Sequence, residues 1–200
     1  MKNVAILLSG RGSNFLALSD AITAGKIPAR IVLVVSNKPD AQGLTHARER
    51  NYETVCVPSK GIEREAYDRQ VVEELKARQV DVICLAGFMR LLSSWFVQQY
   101  PRQILNIHPS LLPAFPGLHS QKQALEWGAK LSGCTVHFVD EKLDHGPIIV
   151  QRSVPVLDED TEETLSARIL EQEHQIYPEA LKLVCEERVR FQERQVLILK

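Results

Sequence analysis

Short apolar runs alternate with longer amphipathic stretches through the first half of the chain. Val4–Leu8, Ile31–Val35, Thr54–Val57, Val82–Ala86 and Ile104–Ile107 read as strands buried on both faces. The stretches between them carry helical periodicity. Asn14–Gly25 sets Phe15, Leu18 and Ile22 on one face, and Ala41–Arg50 follows the second strand. In Ile62–Gln79 the apolar positions Ile62, Ala66, Tyr67, Val71 and Leu75 recur at helical spacing. Ser93 can cap a short helix to Gln99, ended by Pro101. This alternation predicts an open, mostly parallel α/β sheet with helices on both faces.

The pattern changes after residue 108. Residues 109–119 are rich in Pro and Leu and predict an ordered loop. Gln121–Ala129 reads as a helix, and Thr135–Val139 and Ile148–Val154 as strands joined by a polar loop. The sheet is therefore expected to be mixed in its C-terminal half. Asp160 and Glu163 predict a capping box for a long helix, which Pro178 should kink or divide. Arg190–Leu199 predicts a terminal strand. No repeat, low-complexity tract or flexible linker interrupts the 200 residues, so one α/β domain is expected.

Composition narrows the function classes. The formal net charge is −1 and there is no basic stripe, which argues against nucleic acid. The four cysteines, Cys56, Cys84, Cys134 and Cys185, show no C-x-x-C spacing and predict reduced, mostly buried thiols. The opening apolar run is too short for a signal-peptide core, and no stretch is long enough to cross a membrane. A cytoplasmic protein is the expectation.

Two segments carry candidate chemistry. Ser9-Gly10-Arg11-Gly12-Ser13-Asn14 lies where the first strand turns into the first helix. Glycines there let backbone N–H groups approach an anion at a helix N-terminus. Phe15 occupies the third glycine position of G-x-G-x-x-G, and Ser36-Asn37-Lys38 closes the second strand without an acidic residue. The loop is thus neither a dinucleotide fingerprint nor a Walker loop. It is a phosphate cradle or a plain tight turn capped by Ser13. The second segment is Asn106-Ile107-His108. Strand alternation puts the amide and the imidazole on one side, at the carboxyl end where such sheets bind ligands. Together they can stabilise an oxyanion and move a proton. The loop Asp140–Pro147 could bring Asp144 to His108 and favour the charged ring. The simpler alternatives are a loop-stapling His108 and a turn-forming Asp144.

The other histidines read as structural (His137) or as surface and loop residues (His46, His119). No pair has metal-ligand spacing, and Cys134 has no base near it in sequence, so neither a metal nor a thiol nucleophile is expected.

Gly10-Arg11-Gly12-Ser13-Asn14, Leu85–Leu92, Asn106–Pro113 and Asp144-His145-Gly146-Pro147 occur in that order. Together they resemble the folate-dependent formyltransferases, over nearly the whole chain from Val4 to about Val184. The resemblance implies a Rossmann-like fold divided into a phosphate-binding βα half, 1–108, and a folate-loop half, 109–200. It implies formyl transfer from 10-formyltetrahydrofolate, as co-substrate, to the amine of glycinamide ribonucleotide in purine biosynthesis, without a metal. Asn106, His108 and Asp144 match the family's catalytic set. Gly12, Ser13 and Asn14 match its ribonucleotide phosphate loop, and Glu173 a residue touching the glycinamide. Met89, Arg90, Leu91 and Leu92 match one wall of the pterin pocket, Asp140 to Asp144 with Asn106 the other, and Arg64 a residue near the folate glutamate tail. The folate and the ribonucleotide are then the partners of a monomer or weak homodimer, with neither nucleic acid nor membrane. His145 departs from the family pattern, where a small residue is usual, and could perturb Asp144. Two relatives remain as rivals. A 10-formyltetrahydrofolate hydrolase carries an extra N-terminal segment, and an initiator-tRNA formyltransferase an RNA-binding C-terminal domain. A folate- or phosphate-binding module is the non-enzymatic alternative.

Overall fold

The computed structural model describes residues 1–199. Seven strands form one sheet in the order β3-β2-β1-β4-β5-β6-β7. They are β1 (Lys2–Leu8), β2 (Ala29–Ser36), β3 (Thr54–Cys56), β4 (Val82–Leu85), β5 (Ile104–His108), β6 (Leu131–Phe138) and β7 (Ile148–Pro155). The first five pair parallel, whereas β6 joins β5 antiparallel and β7 joins β6 antiparallel. The expected mixed α/β sheet is the one observed.

Helices cover both faces. On one face lie α1 (Ser13–Thr23), α2 (Gln42–Glu49), α5 (Ser120–Glu126) and α6 (Glu162–Cys185). Their apolar residues merge with Val4, Ile6, Leu8, Cys84, Leu105 and Phe138 into one core. On the other face, α3 (Arg64–Ala77) and α4 (Ser94–Gln99) pack Tyr67, Val71, Leu75 and Phe96 against Ala5, Leu7, Ile83 and Ile104. Strand alternation explains the division, since successive β1 residues feed opposite cores.

Strand order reverses between β1 and β4, each of which has its sequence neighbour on the outer side. The crevice at such a switch point is where α/β sheets place their ligands. Here the loops leaving β1 and β4 are bonded together: Ser9 N–H donates to the Gly87 carbonyl (3.1 Å) and Met89 N–H to Ser9 Oγ (2.8 Å). Ser9 Oγ in turn donates to Asn37 Oδ1 (2.5 Å) at the end of β2.

Several details differ from the sequence reading. The N-cap of α6 is Thr161, whose hydroxyl exchanges bonds with Thr164; the capping box is not Asp160 with Glu163. Asp160 instead accepts from Leu157 N–H and pairs with Arg168, which holds its carboxyl well below the usual range. Pro178 neither breaks nor divides α6. Its missing N–H leaves the His174 carbonyl one intrahelical bond short. Residues 190–199 form a hairpin, β8 (Val189–Gln192) and β9 (Gln195–Ile198), because Glu193 turns the chain in left-handed geometry. The third helix starts at Arg64, capped by the Glu63 carboxylate on Ala66 N–H, two residues later than its apolar period predicts.

Candidate active site

Asn106 and His108 occupy the last turn of β5 on the face shared with Ile104. The loop between β6 and β7 folds back over that face, bringing Asp144 to Asn106 and His108. The path is set by register. Leu105 pairs with Phe138, so β6 ends beside the start of β5, and the loop must run back to reach the strand's carboxyl end. Gly146 makes the fold-back possible. A Cβ there would lie 1.8 Å from the Phe138 carbonyl oxygen, so only glycine lets the two backbones approach.

Asp144 thereby reaches both β5 side chains. Its Oδ2 lies 3.3 Å from His108 Nδ1, and its Oδ1 accepts from Asn106 Nδ2 at 3.5 Å. The Gly117 N–H donates to Asp144 Oδ2 at 2.8 Å and fixes the carboxylate from the other side. The side chains of His108 and Asp144 are 6% and 8% exposed, so the pair interacts in a largely water-excluded setting. His108 Nε2 faces the Phe115 carbonyl at 2.9 Å. Both ring nitrogens thus lie near acceptors, a carboxylate at Nδ1 and a carbonyl at Nε2.

His137 belongs to this cluster, although its sequence context reads as purely structural. It sits opposite Asn106 in the β5–β6 register. Its Nδ1 donates to the Phe138 carbonyl (2.9 Å), which leaves Nε2 to accept from Asn106 Nδ2 (3.1 Å). Burial pushes its pKa down, against the pull of Asp144, and favours this neutral tautomer. The Asn106 amide is oriented as a result. No local sequence signal marks His137, because its role comes from cross-strand pairing.

The glycine loop sits along the same sheet edge. Gly12 is the N-cap of α1 at φ 80°, and a Cβ on it would lie 2.7 Å from Gly43 Cα in α2. Ser13 therefore does not cap the helix: no side chain does. The N–H groups of Ser13, Asn14 and Phe15 lack intrahelical acceptors and face the loop, as an anion site requires. Asn14 is buried, and its Nδ2 donates to Glu173 Oε2 at 2.8 Å. Two residues far apart in sequence are joined this way, one from each of the packed helices α1 and α6. Burial pushes the Glu173 carboxyl up, opposed by the Asn14 bond, and Asn14 Oδ1 is buried without a partner.

The remaining expected residues, Met89 excepted, line a cleft of about 170 Å³ beside Asn106, walled by Arg64, Arg90, Leu91 and Leu92 on one side and by 139–144 on the other. Arg90 is spent structurally, with its guanidinium over the Tyr67 ring and donating to the Ile62 carbonyl (3.0 Å). Met89 is 66% exposed and contributes its backbone N–H to Ser9. His145 turns away from Asp144, and its Nδ1 lies 2.8 Å from Asp140 Oδ2. Its partner is therefore Asp140, not Asp144. His46 and His119 lie on the surface, each beside a glutamate. Burial pushes the Cys134 thiol up to about 12, which removes it as a nucleophile. Among the described residues no group of His, Cys, Asp and Glu side chains could hold a metal ion.

An oriented amide, a carboxylate-paired imidazole and an uncapped helix N-terminus lie along one edge of an open α/β sheet, a combination that suits acyl-group transfer. Similarity to known proteins narrows the class: residues 2–181 match the formyl transferase family model, and the chain belongs to that family. It is 46% identical to phosphoribosylglycinamide formyltransferase of Escherichia coli, covering 96% of this chain and 91% of that protein. A trifunctional purine biosynthetic protein, adenosine-3, of Drosophila melanogaster is 52% identical over 92% of this chain, which spans only 14% of that protein's length. Glycinamide ribonucleotide transformylase 1 of Symbiobacterium toebii superposes with a TM-score of 0.97 at 48% identity, covering 100% of this chain and 95% of that one. A formyltetrahydrofolate deformylase of Pseudomonas syringae superposes with a TM-score of 0.94 at only 28% identity, and this chain covers 66% of it.

Proposed function

We propose that the protein transfers the formyl group of 10-formyltetrahydrofolate to the amine of glycinamide ribonucleotide, a step of de novo purine biosynthesis. The observation that carries this reading is the convergence of Asn106, His108 and Asp144 on one edge of the sheet, beside both a helix-end anion site and a cleft. An acyl donor and a phosphorylated acceptor need that combination.

The ribonucleotide phosphate sits on Gly12, Ser13 and Asn14, where free N–H groups and the helix dipole favour it. Glu173, held by the Asn14 amide, faces the amine-bearing end of the acceptor substrate. The folate lies in the cleft, its pterin between the 90–92 segment, with Met89 next to it, and the Asp140–Asp144 wall, and its glutamate tail toward Arg64. The amine attacks the formyl carbon directly. Asn106 turns one Nδ2–H from its long 3.5 Å contact with Asp144 to the tetrahedral oxyanion, which the imidazolium of His108 stabilises by its charge, as the C–N bond forms. Asp144 stabilises the charge on His108 and orients a water that takes the proton lost by the attacking amine. The proton passes to the folate nitrogen as the C–N10 bond breaks. No covalent enzyme intermediate is required, in keeping with the absence of an activated nucleophile at the site.

Residues 1–108 and 109–200 act as the nucleotide and folate halves of one formyltransferase domain, which we take to work in the cytoplasm as a monomer or weak homodimer. Hydrolysis of formylfolate to formate is the second reading, supported by the likeness to a deformylase, although at much lower identity. Incubation with formylfolate separates the two. Turnover that requires the ribonucleotide supports the transferase, and formate release without any acceptor overturns it.

A further inference from the structure

We propose that Arg194, in the turn of the C-terminal hairpin, is a positioning residue for the folate wall: it straps the 139–146 loop through His145 and Asp140. The proposal rests on the formylfolate reading of the cleft.

The hairpin adds little to the core. Its strands alternate half-buried and exposed residues, and it pairs with no strand of the main sheet. One anchor is Phe191, whose ring packs on Phe138 (4.8 Å between centroids) with the Arg102 guanidinium on its other side (4.2 Å). That anchor sets the turn beside the loop. Arg194 then uses both arms of its guanidinium. One nitrogen lies against the His145 ring, 2.9 Å from Nε2 and 3.1 Å from Nδ1, and the other donates to the His145 backbone carbonyl.

The ring links Arg194 to the loop: with the Nδ1–H tautomer, for which Nε2 is left to accept from Arg194, Nδ1 donates to Asp140 Oδ2 (2.8 Å). The other oxygen of Asp140 accepts from Lys142 N–H (2.9 Å), closing the first turn of the loop. Asp140 and Lys142 both line the cleft, whereas Arg194 does not. Arg194 lines a separate cavity of about 490 Å³ behind the loop, with Phe191 and Arg102. It therefore acts on the folate wall from the rear. Elsewhere the loop is tied by Gln98 to Glu141 (3.0 Å), and Asp144 has its own anchors in Gly117, His108 and Asn106. Losing the strap should loosen 140–143 and leave Asp144 in place.

The prediction is a split between kinetic constants. Arg194→Ala should raise KM for formylfolate about 3- to 10-fold, with kcat within about twofold and KM for the ribonucleotide unchanged. Amide hydrogen exchange at Lys142 should accelerate in the same variant. Arg194→Lys, whose single ammonium cannot grip ring and carbonyl together, should fall between, and it carries the test if the alanine variant does not fold. His145→Ala added to Arg194→Ala should cost nothing further. An unchanged formylfolate KM with unchanged Lys142 exchange overturns the strap, as does a fall in kcat with KM unaltered. If the wild-type protein fails to formylate the ribonucleotide, the functional reading falls, and Lys142 exchange still decides whether the strap exists.

Discussion

The two ends of the sheet supply the two halves of the site by different means. The parallel end, β1 to β5, builds its part from local geometry: a strand, a glycine turn and a helix N-terminus, consecutive in the chain. The antiparallel end assembles its part from residues that only folding brings together. His137 arrives by cross-strand register and Asp144 by a loop that doubles back over Gly146. A parallel strand must be followed by a crossover helix, which covers the face of the sheet. An antiparallel hairpin leaves the face next to β5 open, and a mobile class of structure, a loop, can close it around a bulky ligand. In the proposed function, the nucleotide end is thus preformed by secondary structure, while the folate end depends on tertiary contacts.

The largest effects should come where the ends meet. Asn106→Ala or Asp144→Ala should lower kcat about 100- to 1000-fold while folate affinity stays nearly intact. Turnover close to wild type in either variant would remove that residue from the chemistry. Next are two glycines that separate the ends. Gly12→Val forces a Cβ against Gly43 Cα at a positive φ, and should raise the ribonucleotide KM about tenfold or more with the formylfolate KM little changed. Gly146→Ala, pressed on the Phe138 carbonyl, should do the reverse. Matching changes in both KM values for both variants would dissolve the comparison.

His137 tests whether the antiparallel end only orients. His137→Leu, which abandons the Asn106 amide, should cost about tenfold in kcat, and His137→Gln, whose carbonyl can accept the same bond, should recover most of it. The ring also leaves a signature in stability. Its folded pKa is depressed by burial, so the unfolded chain binds the proton first as pH falls through the ordinary value of 6.5. Stability from this group is therefore present at neutral pH and lost on acidification below 6.5, and His137→Gln should flatten that acid limb in thermal melts.

The smallest effect belongs to Glu173. Its folded pKa is raised by burial, so the folded state holds its proton longer than the unfolded one, and stability falls as pH rises from 4.5 through the raised value. Glu173→Gln should then raise Tm at neutral pH, by about 2–4 °C per kcal/mol relieved, and by less at pH 4. It should weaken the ribonucleotide at the same time. A lower Tm at neutral pH would show that the carboxylate is held favourably.

What the chain reveals before folding follows the same division. Strands β1 to β5, their helices and the glycine loop are legible because continuous apolar runs and turn residues are local signals. Asn106 and His108 are legible because strand alternation pairs them. His137 hides among apolar neighbours that make any polar residue look structural. The partnership of Asp144 with His108 is an expectation that distance alone could satisfy. The terminal hairpin is missed because its turn, at Glu193, uses no glycine. The cap of α6 is misassigned because Asp160, Thr161 and Thr164 all offer plausible oxygen acceptors within one turn.

Tyr177 gives α6 a further meaning. Its buried hydroxyl lies within hydrogen-bond distance of both the Leu85 carbonyl of β4 (3.0 Å) and the Leu105 carbonyl of β5 (3.2 Å). Glu173 stands one helical turn before it. The helix is therefore a ruler with its zero mark on the sheet, reading out the position of the carboxylate next to Asn14. Lengthening the chain upstream of Leu165 should be absorbed without loss. One residue inserted between Glu173 and Tyr177 would swing the carboxylate by about 100° around the helix and disconnect it from α1.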